Sequence, residues 1–100
     1  MATYDLTPKA AEDLLNIWTY TVDTWSEEQA DRYYHRLVNS FQNISRHPDS
    51  RGKTYDSIYE GLRGLHVGRH VVFFVKQQSG TVLIVRILHE RMDYRRHFGG

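Results

Sequence analysis

The sequence has no cysteine, which excludes disulfide staples, thiolate metal sites and thiol nucleophiles. No apolar run approaches the ~20 residues that span a bilayer. Gly-rich phosphate loops and serine nucleophile elbows are absent as well. The six histidines include no helical i, i+4 pair enclosing a glutamate, so no metal site is expected. Strand-like residues follow Met1 at once. No signal peptide is therefore expected, and the expected compartment is the cytoplasm.

What is present is an ordinary globular balance of 40% hydrophobic and 25% charged residues, enough for one domain over residues 1–100. Charge is uneven. Residues 1–50 carry four basic and eight acidic side chains, whereas residues 51–100 carry nine basic and four acidic ones. A basic half suits nucleic acid, an acidic protein, or an enzyme acting on either. Mutual attraction of the two halves across the fold explains the asymmetry equally well.

The stretch from Thr81 to Asp93 organises the chain. Val82, Leu83, Ile84 and Val85 are apolar at both alternating sets of positions, as in a strand covered on both faces and central in its sheet. Upstream, Ala2–Leu6 reads as a short strand with Tyr4 and Leu6 on one side. Thr7 and Pro8 form a helix start, and Leu14, Leu15, Trp18, Val22 and Trp25 are spaced to share a helical face that frays before Trp25. Ser26 and Gln29 have capping-box spacing. The second helix carries Ala30, Tyr33, Tyr34, Leu37, Val38, Phe41 and Ile44 on one stripe and stops near Pro48. The short break predicts a helical hairpin.

Asp49–Gly61 reads as a loop. Leu65 and Val67 alternate with Gly64 and His66 up to a glycine-first hairpin turn at Gly68-Arg69. His70–Lys76 is a second central-type strand, Gln77–Gly80 a turn, and Thr81 the start of the third. The expectation is an α+β fold: an N-terminal strand, a helical hairpin and a three-strand antiparallel meander, four strands in all.

Charged groups gather where the last strand emerges. Arg63, Arg86, His89 and Arg91 are candidates for one surface, with Met92 and Asp93 beside them. Arg86 interrupts an apolar strand, so if buried it needs an anion, for which Glu90, Asp93 and Asp56 are the candidates. Its alternatives are a structural ion pair and a binding role. His89 is either a general acid–base group or a hydrogen-bonded strand-end residue. The tail from Tyr94 to Phe98 offers Arg95 and Arg96 to a partner, or closes the core with Tyr94 or Phe98.

The order of elements, with Tyr4–Leu14, Tyr33–Leu37, Gly61–Arg63, His70–Val75 and above all Val85–Asp93, resembles the ParE branch of the RelE/ParE superfamily of bacterial toxins. That resemblance implies the toxin of a type II toxin–antitoxin module. It implies inhibition of DNA gyrase with no cofactor and no catalytic step, and a cognate antitoxin whose C-terminal segment wraps the hairpin and sheet. The contact residues expected on this reading are Arg63, Arg86, His89, Arg91, Met92 and Asp93, with Arg95 and Arg96 as further additions; no membrane and no direct nucleic-acid binding are expected. RelE-type relatives instead cut messenger RNA on the ribosome, using basic residues and a tyrosine or histidine near the concave face of the sheet. Arg63, Arg86, His89, Arg91 and Tyr94 would fill those roles here. A regulatory module that binds its antitoxin without toxicity is the third alternative.

Overall fold

In the computed structural model, which describes residues 3–98, β1 (Tyr4–Leu6) turns into α1 (Pro8–Thr24) through one threonine. Ala2, assigned to the first strand above, lies outside the described residues. Thr7 Oγ1 accepts the Ala10 amide at 3.0 Å and donates to the Val85 carbonyl at 2.8 Å. The helix cap is thus also a tie to the last strand. Proline follows at the first helical position, where the missing amide costs nothing.

The β-branched end of α1 stays helical to Thr24, where Trp25 caps it. Thr19 and Thr21 bond back to the carbonyls of Leu15 and Ile17, which satisfies their hydroxyls without leaving the helix. Ser26 accepts the Gln29 amide at 3.1 Å and opens α2 (Glu27–Arg46), whose first turn carries Glu27 and Glu28 at the positive end of the helix dipole.

The buried face of α1 is Ala10 and Leu14, with Ile17 packed beside them, not the expected stripe. Leu15 and Trp25 are 62% and 68% exposed. Trp18 turns toward α2 and donates its indole N–H to Asp31 at 3.0 Å. The i, i+4, i+7 set that meets the sheet is narrower than the aromatic stripe suggests. In α2, Ala30, Leu37, Phe41 and Ile44 are buried as expected, whereas Tyr34 is exposed.

The remaining chain supplies β2 (Lys53–Thr54), β3 (Arg63–Val67), β4 (His70–Lys76) and β5 (Val82–His89). Their order is β1-β5-β4-β3-β2, with β1 parallel to β5 and the other neighbours antiparallel. The fold is α+β and β5 is central, as its apolar run predicts. The sheet has five strands rather than four, because Lys53 and Thr54, within the segment read as a loop, pair with Gly64 and Arg63. Two polar residues cannot produce an alternating pattern, so this pairing is invisible until β3 offers its edge.

Phe73 pairs with Arg86 but Phe74 pairs with Ile84, leaving Val85 as an extra residue on β5. Ile84 and Ile87, three apart, therefore both join the helix-side core with Leu37, Phe41, Val72 and Phe74. The opposite face holds Leu62, Val71, Phe73 and Leu88. There Tyr55, Ile58, Tyr94 and Phe98 replace a second helical layer, the last two from a 3₁₀ turn over Tyr94–His97 and its cap. The tail closes the core. Among the described residues no helix is long and apolar enough to cross a membrane.

Thr7→Ala removes both the cap and the tie to Val85. It should cost about 1–2 kcal/mol, read as a lower urea midpoint at unchanged slope.

Candidate functional site at the exit of the last strand

The outer edge of β5 loses its strand partner after Leu6, where the chain turns into α1. Asp13, one turn into that helix, takes over. Its carboxylate accepts from Arg86 Nε at 2.8 Å and Nη2 at 2.9 Å, and from the Ile87 amide at 3.0 Å. Both side chains are largely buried, Arg86 at 15% and Asp13 at 14% exposed. The partner of Arg86 is thus Asp13, and not Glu90, Asp93 or Asp56, which the sequence offered because they lie near the strand's end or in the loop. The bidentate bond to Asp13 raises the guanidinium pKa above its ordinary value against the opposing effect of burial.

Next along β5, His89 lies opposite His70 of β4, with ring centroids 5.3 Å apart and near-perpendicular planes. The Arg91 amide donates to His89 Nδ1 at 3.1 Å, so the neutral ring carries its proton on Nε2. His70 Nδ1 lies 2.6 Å from the Tyr33 hydroxyl of α2. That hydroxyl also donates to Val67 O and accepts the Arg69 amide, which clamps the β3–β4 turn to the helices. Gly68 begins the turn at φ +59°, and a methyl group there would lie 2.7 Å from the Tyr33 ring. Burial, and then the neighbouring His89, lower the His70 pKa to about 4, while burial raises that of Tyr33.

Glu90 ends this row. Its carboxylate reaches His66 Nε2 at 3.1 Å and Arg69 Nη1 at 4.0 Å, and its amide donates to Arg69 O. Met92 is 45% exposed and Arg91 is exposed, with no carboxylate partner for Arg91 among the described residues. Asp93 pairs loosely with Arg96 at 3.7 Å, and Arg95 donates to the Ser57 carbonyl. The Tyr94 hydroxyl donates to Glu90 O.

The expected surface is therefore brought together in part. His89, Arg91, Met92 and Asp93 gather at the exit, and Arg95 and Arg96 follow on the 3₁₀ turn. Arg86 sits at the edge, held by Asp13. Arg63 pairs with Phe74, four residues up β4 from His70 and so about 13 Å away. Its guanidinium is bonded to the Arg51 and Gly52 carbonyls, where it closes the 51–63 segment. Asp13, Tyr33, His70 and Glu90 complete the site unforeseen. The readable signal for Asp13 was a carboxylate beside the apolar positions Ala10, Leu14 and Ile17, facing a strand with one lone cation.

Between α1 and the end of β5 runs a groove of about 330 Å³. Asn16, Ile17 and Tyr20 form one wall, and Ile87, His89 and Met92 the other. A second, larger groove of about 580 Å³ opens on the hairpin beside Leu15, Trp18 and Tyr34. Among the described residues no three side chains form a metal-ligand group.

The chain is a small α+β domain, a sheet under a helical hairpin with cationic and apolar groups at the exit of its last strand. The chain belongs to the family of the ParE toxin of type II toxin-antitoxin system, parDE, which matches residues 4–94. It is 36% identical to Toxin ParE1 of Mycobacterium tuberculosis over 94 residues, 94% of this chain and 95% of that one. It is also 36% identical to Toxin ParE1 of Caulobacter vibrioides over 99 residues, 99% and 100% of the two chains. Its fold matches a chain of the chromosomal ParDE system from P. aeruginosa with a TM-score of 0.77 at 23% identity, covering 89% of this chain and 96% of that one. The toxin–antitoxin complex RelBE2 from Mycobacterium tuberculosis gives a TM-score of 0.67 at 22% identity, over 89% and 98%.

Asp13→Ala strands a buried guanidinium and an unpaired amide and should cost about 3–5 kcal/mol. Adding Arg86→Ala should recover about 1–3 kcal/mol relative to the sum of the single changes, in a double-mutant cycle read by urea melts. The His70 shift gives a second test. Between its ordinary pKa of 6.5 and about 4, the unfolded chain binds a proton that the folded chain does not. The His70 contribution is thus intact above pH 6.5 and is lost as pH falls through that window, at up to about 1.4 kcal/mol per pH unit. His70→Gln should flatten that part of the stability profile.

Proposed function

We propose that this chain is the toxin of a type II toxin–antitoxin module that acts in the cytoplasm by binding DNA gyrase and stalling its cleavage–religation cycle, and that a cognate antitoxin neutralises it. The observation that carries binding over RNA cleavage is the packing on the face of the sheet away from the helices. Phe73, Tyr55, Tyr94 and Phe98 form an edge-to-face aromatic cluster there, with centroids 5.0–6.0 Å apart. Tyr94, the one tyrosine offered for phosphodiester chemistry, is spent on that packing and on the Glu90 carbonyl, and burial raises its pKa. Such a face supports the tail; it leaves little room to seat a ribose phosphate.

The contact surface on this reading is His89, Arg91, Met92 and Asp93, extended by Arg95 and Arg96. A guanidinium with no carboxylate partner among the described residues, beside an exposed methionine, is the composition of an interface anchor. Arg86 serves by holding the edge, and Arg63 by holding the distal loop.

Purified protein freed of partner should inhibit supercoiling by gyrase while leaving ribosome-bound messenger intact. Arg91→Ala should weaken that inhibition about tenfold or more, with the melting temperature within a degree or two of the parent. Cut messenger with normal supercoiling would replace this reading by the RelE-type nuclease, and silence in both assays by the non-toxic module.

A further inference from the structure

A second set of cations gathers at the far corner of the sheet, where α2 ends and β2 begins. Asn43 organises it. Its side-chain oxygen accepts from Arg51 Nε at 2.8 Å, and Arg46 lies three residues on along the same helix face. Arg63 reaches over from β3 and donates Nε and Nη2 to the Arg51 carbonyl at 3.2 and 3.0 Å. Gly52, at φ +69°, presses this turn onto β3 so closely that any side chain there would strike the Gly64 carbonyl. Lys53 follows, its Nζ 5.3 Å from the centre of the Tyr55 ring.

Three of these four heads are held by neutral partners, which fix their positions without cancelling their charge. The fourth, Arg46, is exposed in the last turn of α2. None of the four has a carboxylate partner among the described residues. The nearby acids are engaged otherwise: Asp49 by Lys76 at 3.0 Å, and Asp56 by the Gly61 amide at 2.9 Å. Like charges gathered without an anion repel, and the helix dipole accounts for Arg46 alone.

The chemistry of the surface selects its partner. No large apolar side chain is exposed along residues 42–54, so the aromatic or aliphatic anchor of a protein interface is missing. Single-stranded nucleic acid needs open aromatic faces for its bases, and Tyr55 is half-buried with Lys53 over its ring. What the patch offers is donors. Both terminal nitrogens of Arg51, and Nη1 of Arg63, have no partner among the described residues. Such donors, beside Ser50 and Thr54, are the set that contacts phosphate oxygens. With a net charge of only +1, the chain attracts a polyanion locally rather than as a whole.

We propose that this corner binds the phosphate backbone of duplex DNA, without regard to sequence, through Arg46, Arg51, Lys53 and Arg63. It departs from the expectation of no direct nucleic-acid binding, because strand register and the Gly52 turn gather cations that the sequence scatters. The choice of DNA over an RNA duplex rests on the gyrase reading above, in which the exit meets the enzyme and this corner meets the enzyme's DNA.

The test is fluorescence anisotropy of a labelled ~20-base-pair DNA duplex of arbitrary sequence, titrated with the intact chain. In about 50 mM KCl the Kd should be on the order of 10 μM, and its logarithm should rise with that of the salt concentration at a slope of about 3 to 4. Arg46→Gln with Lys53→Gln should weaken binding about tenfold or more and lower the slope by about 2, at an unchanged melting temperature. Lys9→Gln with Arg32→Gln removes the same charge from exposed sites elsewhere on the hairpin and should change the Kd by no more than about twofold. Absence of binding, or equal weakening by the two double variants, would overturn the proposal. So would tighter binding of an RNA duplex of the same length, or equal displacement by poly-L-glutamate of matched charge, which would mark an acidic-protein surface. No gyrase is present, so failure here leaves the gyrase reading standing. Normal supercoiling in the presence of the chain would count against that reading and not against the phosphate contact.

Discussion

One carboxylate holds the exit of the central strand in place. Asp13 reaches from the helical hairpin to the open edge of the central strand, where it takes the Arg86 guanidinium through two bonds and the Ile87 amide through a third. β1 is only three residues long, so without Asp13 the strand's outer edge would be bare just where the exit residues begin. A buried ion pair of this kind is a weak source of net stability and a strong source of geometry, because breaking it leaves a charge without compensation. Its placement fixes the level at which β5 leaves the sheet. His89, Glu90, Arg91 and Met92 inherit their positions from it.

A second network, on the neighbouring hairpin, meets the first at the histidine pair. Tyr33 fastens the β3–β4 turn to α2, and Glu90 fastens that turn to the end of β5. The exit is thereby braced from both sides by polar contacts, while its outer residues, Arg91 and Met92, stay exposed. Rigid support under exposed cationic and apolar side chains is what a docking surface requires, since residues ordered beforehand lose less freedom on binding. The same arrangement leaves the aromatic side of the sheet to packing beneath the tail.

Much of this was legible in the sequence where local pattern and tertiary role agree. The apolar run of Val82–Val85 marked the central strand, Thr7-Pro8 and Ser26–Gln29 marked both helix starts, and Gly68-Arg69 marked the turn. The misses share one cause: contacts between residues far apart in the chain. Asp13 and Arg86 are 73 residues apart, so proximity in sequence favoured the wrong carboxylates. Leu15 and Trp25 fit an apolar stripe yet face outward, because the sheet's width and the position of α2 decide which part of a broad stripe is covered. Lys53-Thr54 became a strand only through the edge that β3 presents. Arg63 looked like one of a cluster because register, which sets it at the far end of the sheet, is not written in any single strand.

The clamp at Asp13 can be read directly at one atom, the Ile87 amide, by native-state hydrogen exchange. If that amide is held by the carboxylate, it exchanges only through near-global unfolding, as slowly as the core amides of β4, and Asp13→Asn speeds it by at least tenfold while the amides of Val71 and Phe73 follow only the loss of global stability. If the Ile87 amide of the unaltered chain exchanges on the timescale of an open strand edge, the carboxylate does not hold it, and the account of how the exit is positioned is wrong.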